Sequence, residues 1–202
     1  LSGLLGAHVR VRVRVPREFD VDVRTGGGTV EVEDIQGKVK TRTSGGRISA
    51  GRIDGDLEME TSGGVLEASQ VTGSVRARTS GGAIRLLEIE GRVEARTSGG
   101  PIEVLDAGER VEARTSGGAV RARLLESPHG HLETSGGSIE VELPADAGVD
   151  LEARTSGGVV QVDDAFDVSG RIERAHVRAE LNGGGDRLEL RTSGGSIRVL
   201  AR

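Results

Sequence analysis

His129 and His131 form the one close histidine pair in the chain, and a pair of ring nitrogens is a common start for a metal site. The pair sits beside Pro128, where a sequence repeat slips by one residue, so a turn or small bulge accounts for it without a metal. Asp163, Asp164 and Asp167 cluster around Phe166 and are the nearest approach to the paired acids of a polysaccharide-cleaving site. They fall in an irregular interval, where acids beside an edge are ordinarily solvated. Ser and Thr are abundant, yet none has the His-Asp context that activates a nucleophile. The recurring Gly-Gly lacks the following Gly-Lys-Ser/Thr of a phosphate loop, and no Asp recurs after it as in calcium-binding β-rolls. The expectation is therefore no catalytic residue, no metal and no cofactor. Arg10, Arg12 and Arg14 share one face of an alternating segment. They read as a solvated edge that resists aggregation, or as a dock for anionic headgroups or acidic cell-wall polymer.

These residues must be positioned by a repeat. Thr-Ser-Gly-Gly begins at Thr43, Thr61, Thr79, Thr97, Thr115, Thr134, Thr155 and Thr192, and a Thr-Gly-Gly-Gly variant begins at Thr25. From Thr25 to Thr115 each step is 18 residues; the next three are 19, 21 and 37. A period of this length marks a solenoid in which each repeat is one coil. Within a coil, Ile84-Arg-Leu86 and Val93-Glu-Ala-Arg96 alternate at period two, as half-buried strands do, with glycines between them as turns. The sixth position is aliphatic throughout, from Val30, Ile48 and Leu66 to Ile197, and the fifteenth is Val39, Leu57, Val75, Val93, Val111 or Leu151. Stacked, these become aliphatic columns inside a tube. The seventh position runs Glu67, Arg85, Glu103, Arg121, Glu140, a ladder of alternating charge when coils lie about 4.8 Å apart.

The fold expected is all-β: a single-stranded parallel β-helix, right-handed, with about 18 residues per coil. Residues 1–24 form the N-terminal cap, with His8–Val15 as a capping strand that ends at Pro16. Residues 25–162 form the regular coils, and 163–202 an irregular last coil and capping hairpin turned at Asn182-Gly183. Gly37, Gly55, Gly73 and Gly91 mark a corner expected to need positive φ. Hydroxyls at a tight Gly-Gly corner serve local backbone groups better than they serve an ice-binding face, which needs paired Thr columns.

Composition agrees. The 202 residues include only two aromatics, Phe19 and Phe166, enough for a narrow tube and too few for a globular core. Net charge is −5 with acids and bases mixed, against a nucleic-acid partner. With no cysteine, disulfides and thiolate metal sites are excluded. No apolar run reaches the roughly 18 residues that span a bilayer. The chain begins at Leu1 and not at Met, which leaves room for a leading signal or anchor.

Val15-Pro-Arg-Glu-Phe-Asp-Val-Asp-Val-Arg-Thr25, the repeated Arg-Thr-Ser-Gly-Gly, and Leu188-Glu-Leu-Arg-Thr-Ser-Gly-Gly-Ser-Ile-Arg-Val199 resemble the DUF4097 family of bacterial and archaeal proteins, labelled adhesins and also called toastrack domains. The likeness covers about residues 8–202. It implies a single-stranded β-helix in an envelope-associated or extracytoplasmic protein, with a role in adhesion or in scaffolding envelope-stress signalling. It carries over no catalytic motif. The functional expectation is a non-enzymatic adhesin or scaffold that presents a repetitive polar surface to a protein or cell-envelope partner. Peripheral membrane or cell-wall association goes with it, as a monomer or small oligomer. A self-assembling protein that polymerises through its ends, as bactofilins do, is the second reading; a polysaccharide-acting enzyme is the third.

Overall fold

A computed structural model describes residues 11–125 and 128–202, and every regular element among them is a β-strand. Two strands make one coil, joined across the Thr-Ser-Gly-Gly corner. The first seven coils follow the sequence: β1 (Val21–Thr25) with β2 (Val30–Gln36), β3 (Val39–Thr43) with β4 (Ile48–Asp54), β5 (Leu57–Thr61) with β6 (Leu66–Val71), and β7 (Val75–Arg78) with β8 (Ile84–Ile89). After them come β9 (Val93–Arg96) with β10 (Ile102–Ala107), β11 (Val111–Thr115) with β12 (Val120–Leu124), and β13 (Gly130–Thr134) with β14 (Ile139–Leu143). Parallel pairing at an offset of 18 puts Val39, Leu57, Val75, Val93 and Val111 in one column. The solenoid expected from the repeat is the fold observed.

The last two coils do not follow the sequence. They are β15 (Val149–Thr155) with β16 (Val160–Val162), and β19 (Asp186–Thr192) with β20 (Ile197–Ala201). The C-terminal coil is intercalated: β19 lies between β13 and β15, and β20 between β14 and β16. A hairpin, β17 (Val168–Glu173) and β18 (His176–Leu181), then adds antiparallel to the outer side of β15. The result is an 11-stranded and a 9-stranded sheet face to face. Residues 186–201 are thus a regular inner rung and not an irregular cap. Asn182 does turn with a left-handed φ of 49°, but β18 and β19 are not hairpin partners, because β15 separates them. The hairpin turns instead at Arg174-Ala175.

Both aliphatic columns are buried, and the core between the sheets is Val, Ile, Leu, Ala and Met59. The only ring in it is Phe166, which seals the hairpin end at 5% exposure. The N-terminal cap differs from expectation. Arg10 lies outside the described residues, and Val11–Pro16 joins neither sheet, so no capping strand forms over Val11–Val15. Proline has no N–H for a ladder and restricts the residue before it, which explains why pairing stops at Pro16. Arg17–Asp20 joins the stack, through the Gln36 N–H donating to Arg17 O at 2.8 Å, the Phe19 N–H donating to Gln36 O at 3.1 Å and the Lys38 N–H donating to Asp20 Oδ1 at 2.7 Å.

The corner glycines divide into two kinds. Gly37 and Gly55 have φ near 146° and 145°, as expected, but Gly73 and Gly91 have no positive φ. There glycine is required by approach: a Cβ on Gly73 would lie 2.4 Å from the Gly55 carbonyl oxygen. Left-handed φ is instead supplied at the tenth position by Asp34, Arg52, Gln70, Glu88 and Asp106, with φ from 52° to 58°.

Candidate functional site

The threonine column comes first because it is the most regular chemical array in the molecule. Each Thr hydroxyl donates to the second-glycine carbonyl of the neighbouring coil and accepts the N–H of the second glycine of its own. Thr97 Oγ1 donates to Gly82 O at 3.0 Å and accepts from Gly100 N at 3.4 Å. The pattern runs from Gly28 through Thr43, Thr61, Thr79, Thr97, Thr115, Thr134, Thr192 and Thr155 to Gly158. Thr192 falls between Thr134 and Thr155, so the wire confirms the intercalated order. All eight of these threonines are buried, which removes them as an ice-binding face and leaves the serine, with the first glycine in copies such as Gly63 and Gly99, as the exposed part of the motif. Thr97→Val keeps the shape but strands a buried carbonyl and an N–H. It should cost about 2 kcal/mol in urea unfolding, with Thr97→Ser close to wild type. Equal stability of Thr97→Val and wild type would show the wire to be idle.

The outer faces carry ordered charge. On the nine-stranded sheet, register places Glu67, Arg85, Glu103, Arg121, Glu140 and Arg198 in one column. Arg85 reaches Glu67 at 3.0 Å and Arg121 reaches Glu140 at 2.9 Å, so the alternating ladder is real and extends into the intercalated coil. On the eleven-stranded sheet, Lys40, Glu58, Arg76 and Glu94 alternate, and a neighbouring column holds Arg78, Arg96 and Arg114 without an intervening acid. Glu94 is the hub, contacting Arg76 at 2.9 Å, Arg78 at 2.7 Å and Arg96 at 3.3 Å.

Burial opposes the charge on Glu94, but hydrogen bonds from Arg78 and Arg76 outweigh it and hold the carboxyl at about 2, below its ordinary 4.5. A depressed folded value means stability that is present above the unfolded pKa and lost as pH falls toward the folded one. Unfolding at about pH 6 and about pH 3 should therefore differ through this cluster by no more than about 1 kcal/mol, since its arginines are half exposed. Glu94→Gln should remove that share of the difference, and an unchanged pH slope would contradict it.

His129 and His131 lie on the seam of the intercalated coil. The one-residue slip puts Gly130 in the inward column opposite Val111 and Leu188, and turns His131 outward between Glu112 and Glu189. His131 Nδ1 is 3.2 Å from Glu189 and Nε2 is 3.1 Å from Glu133, while His129 Nδ1 is 3.9 Å from Asp186. The pair thus faces carboxylates of β19 and β13. Among the described residues no group of three His, Asp or Glu is arranged to hold a metal.

At the hairpin end Asp163 is spent on structure, its Oδ1 accepting the Ala165 N–H at 3.1 Å. The Asp167 N–H donates to Asn182 Oδ1 at 3.0 Å, and Asn182 Nδ2 donates to Ala145 O and Ala147 O. Asp164 is exposed beside them. Of the three acids only Asp163 uses its carboxylate to hold the turn around Phe166, while Asp164 and Asp167 are exposed on it.

At the other end Arg12 and Arg14 are exposed, and Arg14 lines a groove of about 1120 Å³ together with Val11, Val13, Phe19 and the faces of β1 and β2. Sequence reading placed the arginines but missed the groove, because it assumed a paired strand there. Comparison of the chain with protein-family models, with curated proteins and with solved structures finds no match in any of the three.

Proposed function

We propose that this protein is a non-enzymatic, envelope-associated adhesin or scaffold of the DUF4097 kind, a rigid rod that displays ordered charge to an envelope polymer or protein. The observation that carries this reading is the run of charge along both outward faces, with Arg78, Arg96 and Arg114 in one column. Stacked strands hold these side chains about 4.8 Å apart, a spacing suited to an extended polyanion. The interior wire and Asp163 of the hairpin end are engaged in holding the fold, and the charged faces are the extended ordered surfaces.

The test is sedimentation of the purified chain with cell-wall and membrane fractions at low and high salt. Salt-sensitive binding that is lost in Arg78→Glu/Arg96→Glu/Arg114→Glu, with unfolding otherwise near wild type, supports the reading. Release of reducing ends from a polysaccharide panel would contradict it in favour of an enzyme. Among the described residues no strand covers the outer edges of β1 and β2 beyond the Arg17–Phe19 contact at Gln36, and these edges favour a second reading, self-assembly through the ends, which filaments in negative stain would support.

A further inference from the structure

The two ends of the rod are unlike. At the hairpin end Phe166 is buried, the last strand, β17, carries Arg171 and Glu173 on either side of an exposed Ile172, and the short β16 ends the other sheet. Charged edges of this kind resist further pairing. At the other end no further strand covers β1 or β2 among the described residues, the outer edge of β2 meeting only Arg17–Phe19 at Gln36, and Phe19 is 46% exposed. Beside them stands the arm, residues 11–15, reading Val-Arg-Val-Arg-Val, with Val11 75% and Val13 73% exposed. Strict alternation with both faces in solvent is the pattern of a strand whose partner is missing.

The arm and the β2 edge are complementary. β2 begins Val30-Glu-Val-Glu33, the same apolar period with acids where the arm has arginines. Because both alternate at period two, a register that sets valine against valine sets the arm's arginines toward the glutamates of β2, and full overlap pairs Arg12 and Arg14 with Glu31 and Glu33. Glu33 also lies 3.7 Å from Arg52, and Asp34 holds Arg52 at 2.9 Å, so Glu31 is the main acceptor left for the arm. The arm's own chain leaves the stack at Pro16, so complementary surfaces stand side by side on one molecule without joining. A patch that is complementary to itself closes through a two-fold axis.

We propose that the open end is a self-association surface, where the arm of one copy adds to the β2 edge of a second copy, and the reverse, to close a dimer. Main-chain pairing supplies affinity and the Arg–Glu pattern supplies register. The two-fold pairing uses both arms and both β2 edges, and that closure stops the assembly at two. This inference does not depend on the adhesin or scaffold reading, which concerns the faces of the rod.

Sedimentation velocity of the 202-residue chain over a concentration series tests it. The 21.0 kDa chain should double in mass with rising concentration, with a midpoint in roughly the micromolar to millimolar range of a small interface. Arg12→Glu/Arg14→Glu should weaken the dimer by about tenfold or more, as should Glu31→Arg/Glu33→Arg, and combining all four should restore it. The arm lies outside both sheets, so its double variant should unfold like wild type, which separates lost association from lost folding. A monomer up to about 1 mM, a dimer indifferent to the charge exchange, or a ladder of larger species would each overturn the proposal. So would hydrogen-exchange protection of the arm within a monomer, which would mean that it closes on its own chain.

Discussion

Deleting residues 186–202 should leave a chain with no cooperative unfolding transition at 25 °C. A truncation at a chain end is ordinarily mild, but here the end is an inner rung. Leu188, Leu190, Ile197 and Val199 are each 0% exposed, and burial of such side chains contributes about 1.5–3 kcal/mol apiece. Their combined loss, about 6–12 kcal/mol, is comparable with the whole stability of a domain, about 5–15 kcal/mol. The deletion also removes β19, the neighbour that β13 and β15 share, and β20, the neighbour that β14 and β16 share, and it cuts the threonine wire between Gly137 and Thr155. Circular dichroism during a thermal ramp reads the outcome directly. A truncated chain that melts with the wild-type midpoint would show that the C-terminal coil is an appendage.

The second large effect separates two adjacent glycines of one motif. A Cβ on Gly64 would lie 1.8 Å from the Gly46 carbonyl oxygen, whereas a Cβ on Gly63 meets nothing within 4 Å. Neither has a positive φ, so the contrast is one of space alone. Backbone cannot yield as a side chain can, because moving one coil disturbs those above and below it. Gly64→Ala should lose at least about 3 kcal/mol, and Gly63→Ala should stay within about 1 kcal/mol of wild type. Urea midpoints of the two variants decide the matter, and equal values would mean that the corners do not stack as described. The second glycine of Thr-Ser-Gly-Gly is thus the residue that sets coil spacing, and the threonine is the residue that ties the coils.

This division was only half visible in the sequence. The aliphatic columns and the Glu67-to-Glu140 ladder followed from the period, because an 18-residue repeat fixes which side chains become neighbours. The order of the last coils did not follow. The motif at Thr192 fits beside Thr134 as well as it fits beyond Thr155, and nothing local distinguishes the two sites. Only the 37-residue interval signalled that something intervened, and the intervening hairpin pairs antiparallel on the outer side of β15 at the end of the sheet. The left-handed corner was hidden for another reason. Asp34, Arg52, Gln70, Glu88 and Asp106 share a conformation but no residue type, while the glycines that seemed to require it are held at Gly73 and Gly91 by close approach.

The candidate surfaces were legible in the same uneven way. Arg12 and Arg14 stood out by alternation, yet their place in a groove depends on Pro16 breaking the pairing. His129 and His131 drew attention as a pair, and their surroundings became intelligible only once β19 was known to be their neighbour. Asp163, Asp164 and Asp167 were conspicuous as a cluster, but only the Asp163 carboxylate holds the turn around Phe166, and the other two are exposed on it.

Disulfide formation between introduced cysteines tests the intercalated stack most directly, since the chain has no cysteine of its own. Glu133 is in register with Arg191, and Arg191 with Arg154. Neighbouring rungs, about 4.8 Å apart, lie within disulfide reach, and rungs two apart do not. Glu133→Cys/Arg191→Cys and Arg154→Cys/Arg191→Cys should each cross-link on oxidation of the folded monomer, while Glu133→Cys/Arg154→Cys should stay reduced. Cross-linking of 133 with 154, and none of 133 with 191, would place the coils in sequence order and contradict the architecture on which the sealed and open ends depend.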